Sequence, residues 1–240
     1  MHRNRTAEAF VLGVLICAGL GLLGHFIAGG IVAFRGLDRT VTAKGLSERE
    51  VTADIAIWPI RFDLAGNELA SLAADLEAKT AAVQAFLADK GFAADEVTAG
   101  APAIIDRQAQ RYGGGANMGP FRYQGSATVT VYSARIEAVR LTMTRVGELV
   151  AKGIVVGGQD FDTRPQFLFT GLNTIKPAMI AEATRNAREV AEKFARDSDS
   201  DLGKIKNARQ GQFSINDRDS NTPHIKKVRV VATLEYYLAD

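Results

Sequence analysis

Residues 9–34 form an unbroken apolar run of 26 positions with no formal charge and no polar stripe. An α-helix rises about 1.5 Å per residue, so roughly 20 such residues cross the ~30 Å hydrocarbon core of a bilayer. The run exceeds that length and predicts a tilted membrane-spanning helix. A cleavable secretory signal has a shorter apolar region, about 7–15 residues, and ends in a small-residue cleavage site. Here Arg35, Gly36, Leu37, Asp38 and Arg39 follow instead. The expectation is therefore an uncleaved anchor over 1–38, with 1–8 as a short tail. Arg3 and Arg5 precede the span, while Arg35 and Arg39 flank Asp38 after it. The positive-inside rule then puts the N-terminus in the cytoplasm and residues 39–240 outside it. Ala9, Gly13, Cys17 and Gly21 recur at four-residue steps. They form one ridge of small side chains, the kind that lets helices approach closely in lipid. His25 continues that ridge.

After residue 38 the pattern changes period. Residues 39–46 alternate and predict a strand, with 47–51 as a hairpin connection. Residues 53–62 are apolar on both faces, as in a covered strand, and Pro59 marks an edge or bulge because it has no N–H to donate. Leu69, Leu72, Ala73, Leu76, Val83, Phe86 and Leu87 share one helical stripe, predicting a helix over 67–90 that Gly91 ends. Strands are predicted over 97–106 and 121–132, separated by a glycine-rich loop at 107–120. No low-complexity linker divides residues 39–240, which read as one α+β domain; if it has two lobes, that loop divides them. Ile136, Val139, Met143, Val146 and Val150 predict a second helix over 135–152, closed by Gly153. Residues 154–169 contain a broken strand. A third helix is predicted over 177–196, with Pro177 in its first turn. Met179, Ile180, Ala183, Ala187, Val190, Ala191 and Phe194 make its buried face. Strands over 204–213 and 226–238 close the chain, and Gly203 takes the place after the third helix that Gly91 and Gly153 take after the others. The sum is an α+β fold: a transmembrane helix, then a mixed or antiparallel sheet with three main helices.

Composition narrows the function mostly by exclusion. The chain has 29 Lys+Arg against 27 Asp+Glu, a net charge of +2. A body so near neutrality has no electrostatic case for nucleic acid. Cys17 is the only cysteine and lies in the span, so the body has neither a disulfide nor a thiolate. Of the three histidines, only His224 falls in the body, and a Ser-His-Asp arrangement would have to use it. That inventory is too thin for a structural zinc site, and neither a cofactor nor a catalytic residue is expected. Asp197, Asp199 and Asp201 alternate like the start of a calcium loop. Position six of such a loop should be Gly and is Leu202, and position twelve should be Glu and is Ala208. A solvated turn is the plainer reading. The glycines at 113–115 lack a following Gly-Lys-Ser/Thr and make no phosphate loop. Arg107, Arg111, Tyr112, Arg122 and Tyr123 surround them as a basic-aromatic rim suited to a protein partner, an anionic glycan or a second subunit. Trp58, the sole tryptophan, is a core residue by default and otherwise a contact residue.

Four stretches of the body form a recognisable order: Val41 through Val51 with Ala53, Asp54, Ile55 and Ala56, then Phe86, Leu87 and Gly91, then Leu149 through Ile154, and at the end the last strand, Val228 through Tyr236. The most specific part, before that strand, is Ala183, Ala187, Arg188, Ala191, Glu192 and Ala195, followed by Leu202, Gly203, Lys204 and Ile205. In this order and pattern the body resembles the SIMPL domain family. The resemblance implies an α+β fold, a bacterial extracytoplasmic location and self-association into ring- or channel-like assemblies, some in oxidative stress defence. It carries over no catalytic residue. Many members enter through a cleavable signal, and the anchor here departs from that. Two functions are expected in this order: a non-enzymatic homo-oligomer anchored at the bacterial inner membrane with its body in the periplasm, or a monomeric module binding a protein or cell-wall ligand through the rim. Membrane lipid around the first helix and further copies of the chain are the expected partners.

Overall fold

The structure, a computed structural model, describes residues 3–36, 39–109, 120–157 and 163–239. Helix α1 covers Arg3–Gly36. The body runs through β1 (Thr40–Thr52), β2 (Ile55–Gly66), α2 (Leu69–Asp89), a 3-10 turn (Ala94–Glu96), β3 (Val97–Ala99), β4 (Ala103–Asp106) and β5 (Tyr123–Ser133). It continues with α3 (Ile136–Met143), α4 (Gly147–Ala151), β6 (Gln166–Leu168), α5 (Leu172–Asp197), β7 (Asp201–Gln210), β8 (Ser214–Asp217) and β9 (Ile225–Ala239). This is the expected α+β fold, with antiparallel sheets behind an apolar N-terminal helix. Two compact units emerge, one of residues 1–48, 176–213 and 229–240, the other of 49–175 and 214–228. Residues 107–109 and 120, the described ends of the predicted loop, both belong to the second unit, so the division does not fall there.

The second unit holds a sheet ordered β3-β5-β2-β6, with β4 also paired to β5. Alternation decides its inner face. Ala56, Trp58, Ile60 and Phe62 of β2 and Ala127, Val129 and Val131 of β5 are buried, and their sequence neighbours are not. Leu72, Leu76, Val83, Phe86 and Leu87 of α2 belong to the same core, as the spacing predicts, while Leu69 and Ala73 of the expected stripe are exposed. Pro59 sits in the β2–β5 register opposite Thr130 without a bulge. The Arg61 carbonyl points to the other edge of β2, where it accepts the Gly157 N–H at 2.7 Å. Pro59, two residues away, faces that same edge, beyond the three residues that β6 covers. Its missing donor leaves no ladder bond unmade.

The predicted second helix is two helices. Thr142 Oγ1 donates to the Ala138 carbonyl and Thr144 Oγ1 to the Leu141 carbonyl. The Arg145 and Val146 amides then reach back only three residues, to Thr142 and Met143. Side-chain back-bonding and three-residue bonds tighten the backbone, and Gly147 adds no helical preference. The break shifts the phase of the stripe. Leu149 is buried and Val150 is exposed, although the unbroken spacing puts Val150 inside.

The first unit holds β7 and most of β1 and β9, in a sheet ordered β1-β9-β7. β1 runs unbroken to Thr52, so residues 47–51 are strand and not a connection. Ser47 stays buried on the inward side of the alternation because its hydroxyl donates to Glu182 Oε2 at 3.0 Å. Met179, Ala183, Ala187, Ala191 and Ala195 form the buried line of α5. Val190 and Phe194 are exposed, contrary to the expected stripe. Close approach explains the choice of alanine. A Cβ on Gly45 of β1 would lie 1.9 Å from the Ala183 carbonyl oxygen and 2.3 Å from the Ala187 nitrogen. Helix backbone and strand backbone are in contact there, and larger side chains have no room between them.

α5 begins at Leu172, five residues before the predicted start, and Pro177 lies inside it. The left-handed position that ends it is Asp199, with φ 51°, and not a glycine. Asp tolerates that region better than most residues. Gly203 falls within β7, whereas Gly91 and Gly153 do take positive φ after their helices.

Candidate functional site

The described part of the rim is an internal clasp. β4 and β5 pair Asp106 with Tyr123. Arg122 Nη2 donates to Asp106 Oδ2 at 2.8 Å and its Nε to both carboxylate oxygens, at 3.3 and 3.2 Å. Its guanidinium lies over the Tyr123 ring at 4.9 Å, and its backbone N–H reaches Asn67 Oδ1 at 2.9 Å. The bonded guanidinium holds the Asp106 carboxyl below its ordinary range. Arg107 donates to Gln124 Oε1 at 2.6 Å. These groups hold β4 to β5 before any partner arrives. Arg111 and Tyr112 lie outside the described residues. Trp58 is 4% exposed and belongs to the core of the second unit. The strand's pleat points it inward, which corrects its reading as a contact residue.

The acidic turn does not assemble a metal site. Asp197 ends α5, Asp199 occupies the left-handed position and Asp201 opens β7. Among the described residues no group of three or more His, Cys, Asp or Glu side chains has metal-holding geometry. Asp197, Asp199 and Asp201 are thus no such group, which counts against the calcium candidate.

In α1, Glu8–Ile31 is long and apolar enough to cross a membrane, with a mean hydropathy of 2.3. Every one of these side chains is exposed. Helical geometry stacks Ala9, Gly13, Cys17 and Gly21 on one line, and no atom of another element comes within 4 Å of a Cβ built at Gly13 or Gly21.

A cavity of about 730 Å³ opens in the second unit. Arg140, Met143 and Thr144 come from the end of α3 and the turn after it. Arg164, Pro165 and Phe167 come from β6 and the residues before it. Asp217, Ser220, Asn221, Pro223 and His224 come from β8 and the loop after it. The loop is rigid by its own bonding. Asp219 Oδ1 accepts the Asn221 and Thr222 amides at 2.8 Å each, Oδ2 takes the Thr222 hydroxyl, and the Arg218 N–H reaches the Ile225 carbonyl at 2.9 Å. The Thr222 and Arg218 bonds hold the Asp219 carboxyl far below its ordinary range. The His224 carbonyl accepts the Ala53 N–H, and its ring meets Phe167 edge-on at 6.0 Å. Burial, then the Arg140 charge, lowers the His224 pKa, so the imidazole is neutral at neutral pH. The sequence reading picked out His224 but missed its neighbours. Arg140 and Arg164 stand 84 and 60 positions away in the chain, and no local spacing links them.

These features define a class of protein: an α+β body of two units behind an apolar N-terminal helix. A model of the SIMPL family, described as a protein of unknown function (DUF541), matches residues 41–234. The chain belongs to that family. No curated protein matches it.

Proposed function

We propose that the chain is a membrane-anchored SIMPL-domain protein that assembles with copies of itself at the bacterial cell envelope, in oxidative or envelope stress defence, and that its work is contact and not catalysis. Residues 1–38 act as an uncleaved anchor with a cytoplasmic N-terminus, and 39–240 stand in the periplasm. The observation that carries this reading is α1: 24 apolar-window residues, Glu8–Ile31, with none of that window buried. Such a surface needs lipid or another helix as its solvent. The body adds two supports for self-association. Among the described residues β7 pairs on one edge only, with β9, and residues 204–210 are exposed throughout. Unpaired strand edges are templates for pairing with another chain. Val190 and Phe194 of α5, 39% and 55% exposed, place apolar surface on the same unit.

The mass of the full-length particle in mild detergent tests the reading. A discrete multiple of the 25.8 kDa chain is expected. A monodisperse monomer at micromolar concentration overturns it.

A further inference from the structure

The cavity of the second unit has a chemistry that neither anchoring nor self-assembly uses. Its volume, about 730 Å³, falls within the range of roughly 300–1,000 Å³ typical of small-molecule sites. Its polar side is cationic. Arg140 Nη1 donates to both oxygens of Glu137, at 2.9 and 3.0 Å, but that carboxylate is 70% exposed. A pair with so solvated a partner holds weakly, so the guanidinium can exchange it for a ligand. Arg164 has no hydrogen bond or ion pair among the described residues. Asp217, the carboxylate in the lining, is neutralised by Lys226 Nζ. Asn221 and Ser220 add neutral polar groups. Met143, Phe167 and Pro223 give the lining its apolar part. The wall carrying Asn221 is already fixed by Asp219, so little ordering remains for a ligand to impose.

We propose that this cavity binds a small organic anion, a carboxylate or phosphate monoester on an apolar body. Arg140 and Arg164 hold the charged end, because a guanidinium fork matches both oxyanions. Phe167, Met143 and Pro223 receive the apolar body. The proposal stands apart from self-assembly, since particle mass and ligand titration fail independently.

The full-length protein in mild detergent is titrated calorimetrically with phenyl phosphate, with benzoate and with uncharged benzyl alcohol. Saturable one-to-one binding of at least one anion is expected, tenfold or more tighter than benzyl alcohol. The double substitution Arg140→Gln, Arg164→Gln should weaken it at least tenfold without shifting the melting temperature. Hydrogen exchange on the unaltered chain gives a second reading that no folding failure can spoil. The bound anion should protect 164–167 and 217–224. No saturable binding of either anion at millimolar concentration, binding that the double variant retains, or protection confined to other segments overturns the proposal.

Discussion

Gly45 shows how one missing side chain sets the spacing of a layer. The atoms that a Cβ would strike belong to the α5 backbone and cannot swing away. Overpacking commonly costs about 1–3 kcal/mol and more where backbone must move. Gly45→Ala should therefore sit at or above the top of that range and lower the melting temperature by roughly 6–12 °C. Gly147→Ala is the control, because nothing lies within 4 Å of a Cβ there, and it should leave melting within a few degrees of the parent. Scanning calorimetry on both variants decides it; equal effects would remove the close-approach argument. Glu96 is a second single-residue case. It accepts bonds from Arg135, from the Ser133 hydroxyl and from the Ala93 amide. Arg135 first, then Ser133, holds its carboxyl at about 2, from an ordinary 4.5. A carboxyl lowered on folding adds stability that is complete above its unfolded pKa and is lost as pH falls to the folded one. Stability should thus decline between about pH 4.5 and pH 2. Glu96→Gln should flatten that acid limb in denaturant titrations, and an unchanged limb would show that other carboxyls carry it.

At the scale of elements, α5 depends on a residue far from it in the chain. The Asp54 carboxylate accepts the Thr170 amide at 2.9 and 2.8 Å, the Thr170 hydroxyl at 2.9 Å and the Gly171 amide at 3.0 Å. From the β1–β2 turn it therefore holds Thr170 and Gly171, the two residues just before α5. Removing an acceptor that several donors share leaves them unbonded, at a cost of about 1–3 kcal/mol. Asp54→Ala should lower stability by that amount and raise hydrogen exchange over residues 170–175 more than elsewhere in α5. Uniform exchange along the helix would count against it. The stripe of α5 was only half legible beforehand. Hydropathy favoured Val190 and Phe194, but the helix turns its alanines inward because Gly45 brings the strand against it. The α3–α4 break was written in Thr142, Thr144 and Gly147, yet each is tolerated inside helices and none alone announces a break.

For the whole molecule, α1 and the body differ in where their apolar surface lies. The α1 window has none of its surface buried, while the two units each have an apolar core of their own. The chain should remain in the membrane pellet after alkaline extraction, and a chain lacking residues 1–38 should move to the soluble fraction. A reporter that works only outside the cytoplasm, fused after Asp240, should be active. Recovery of the full chain in the alkaline supernatant, or a silent reporter, would overturn the anchored orientation.

The sequence by itself determined the apolar N-terminal segment, the α+β class, the α2 stripe from Leu72 to Leu87 and the strand character of β2 and β5. Each is a local property, since length or period alone decides which side of a segment avoids water. His224 and the flanking groups Arg107, Arg122 and Tyr123 were legible as residues but not as arrangements. Tertiary structure decided that Arg122 answers to Asp106, that Trp58 faces inward and that the three aspartates form no metal-holding group. It also decided that Arg140 and Arg164 meet His224 around one cavity. Those outcomes depend on which segments the sheets bring side by side, and that pairing is a property of the folded chain, not of any window along it.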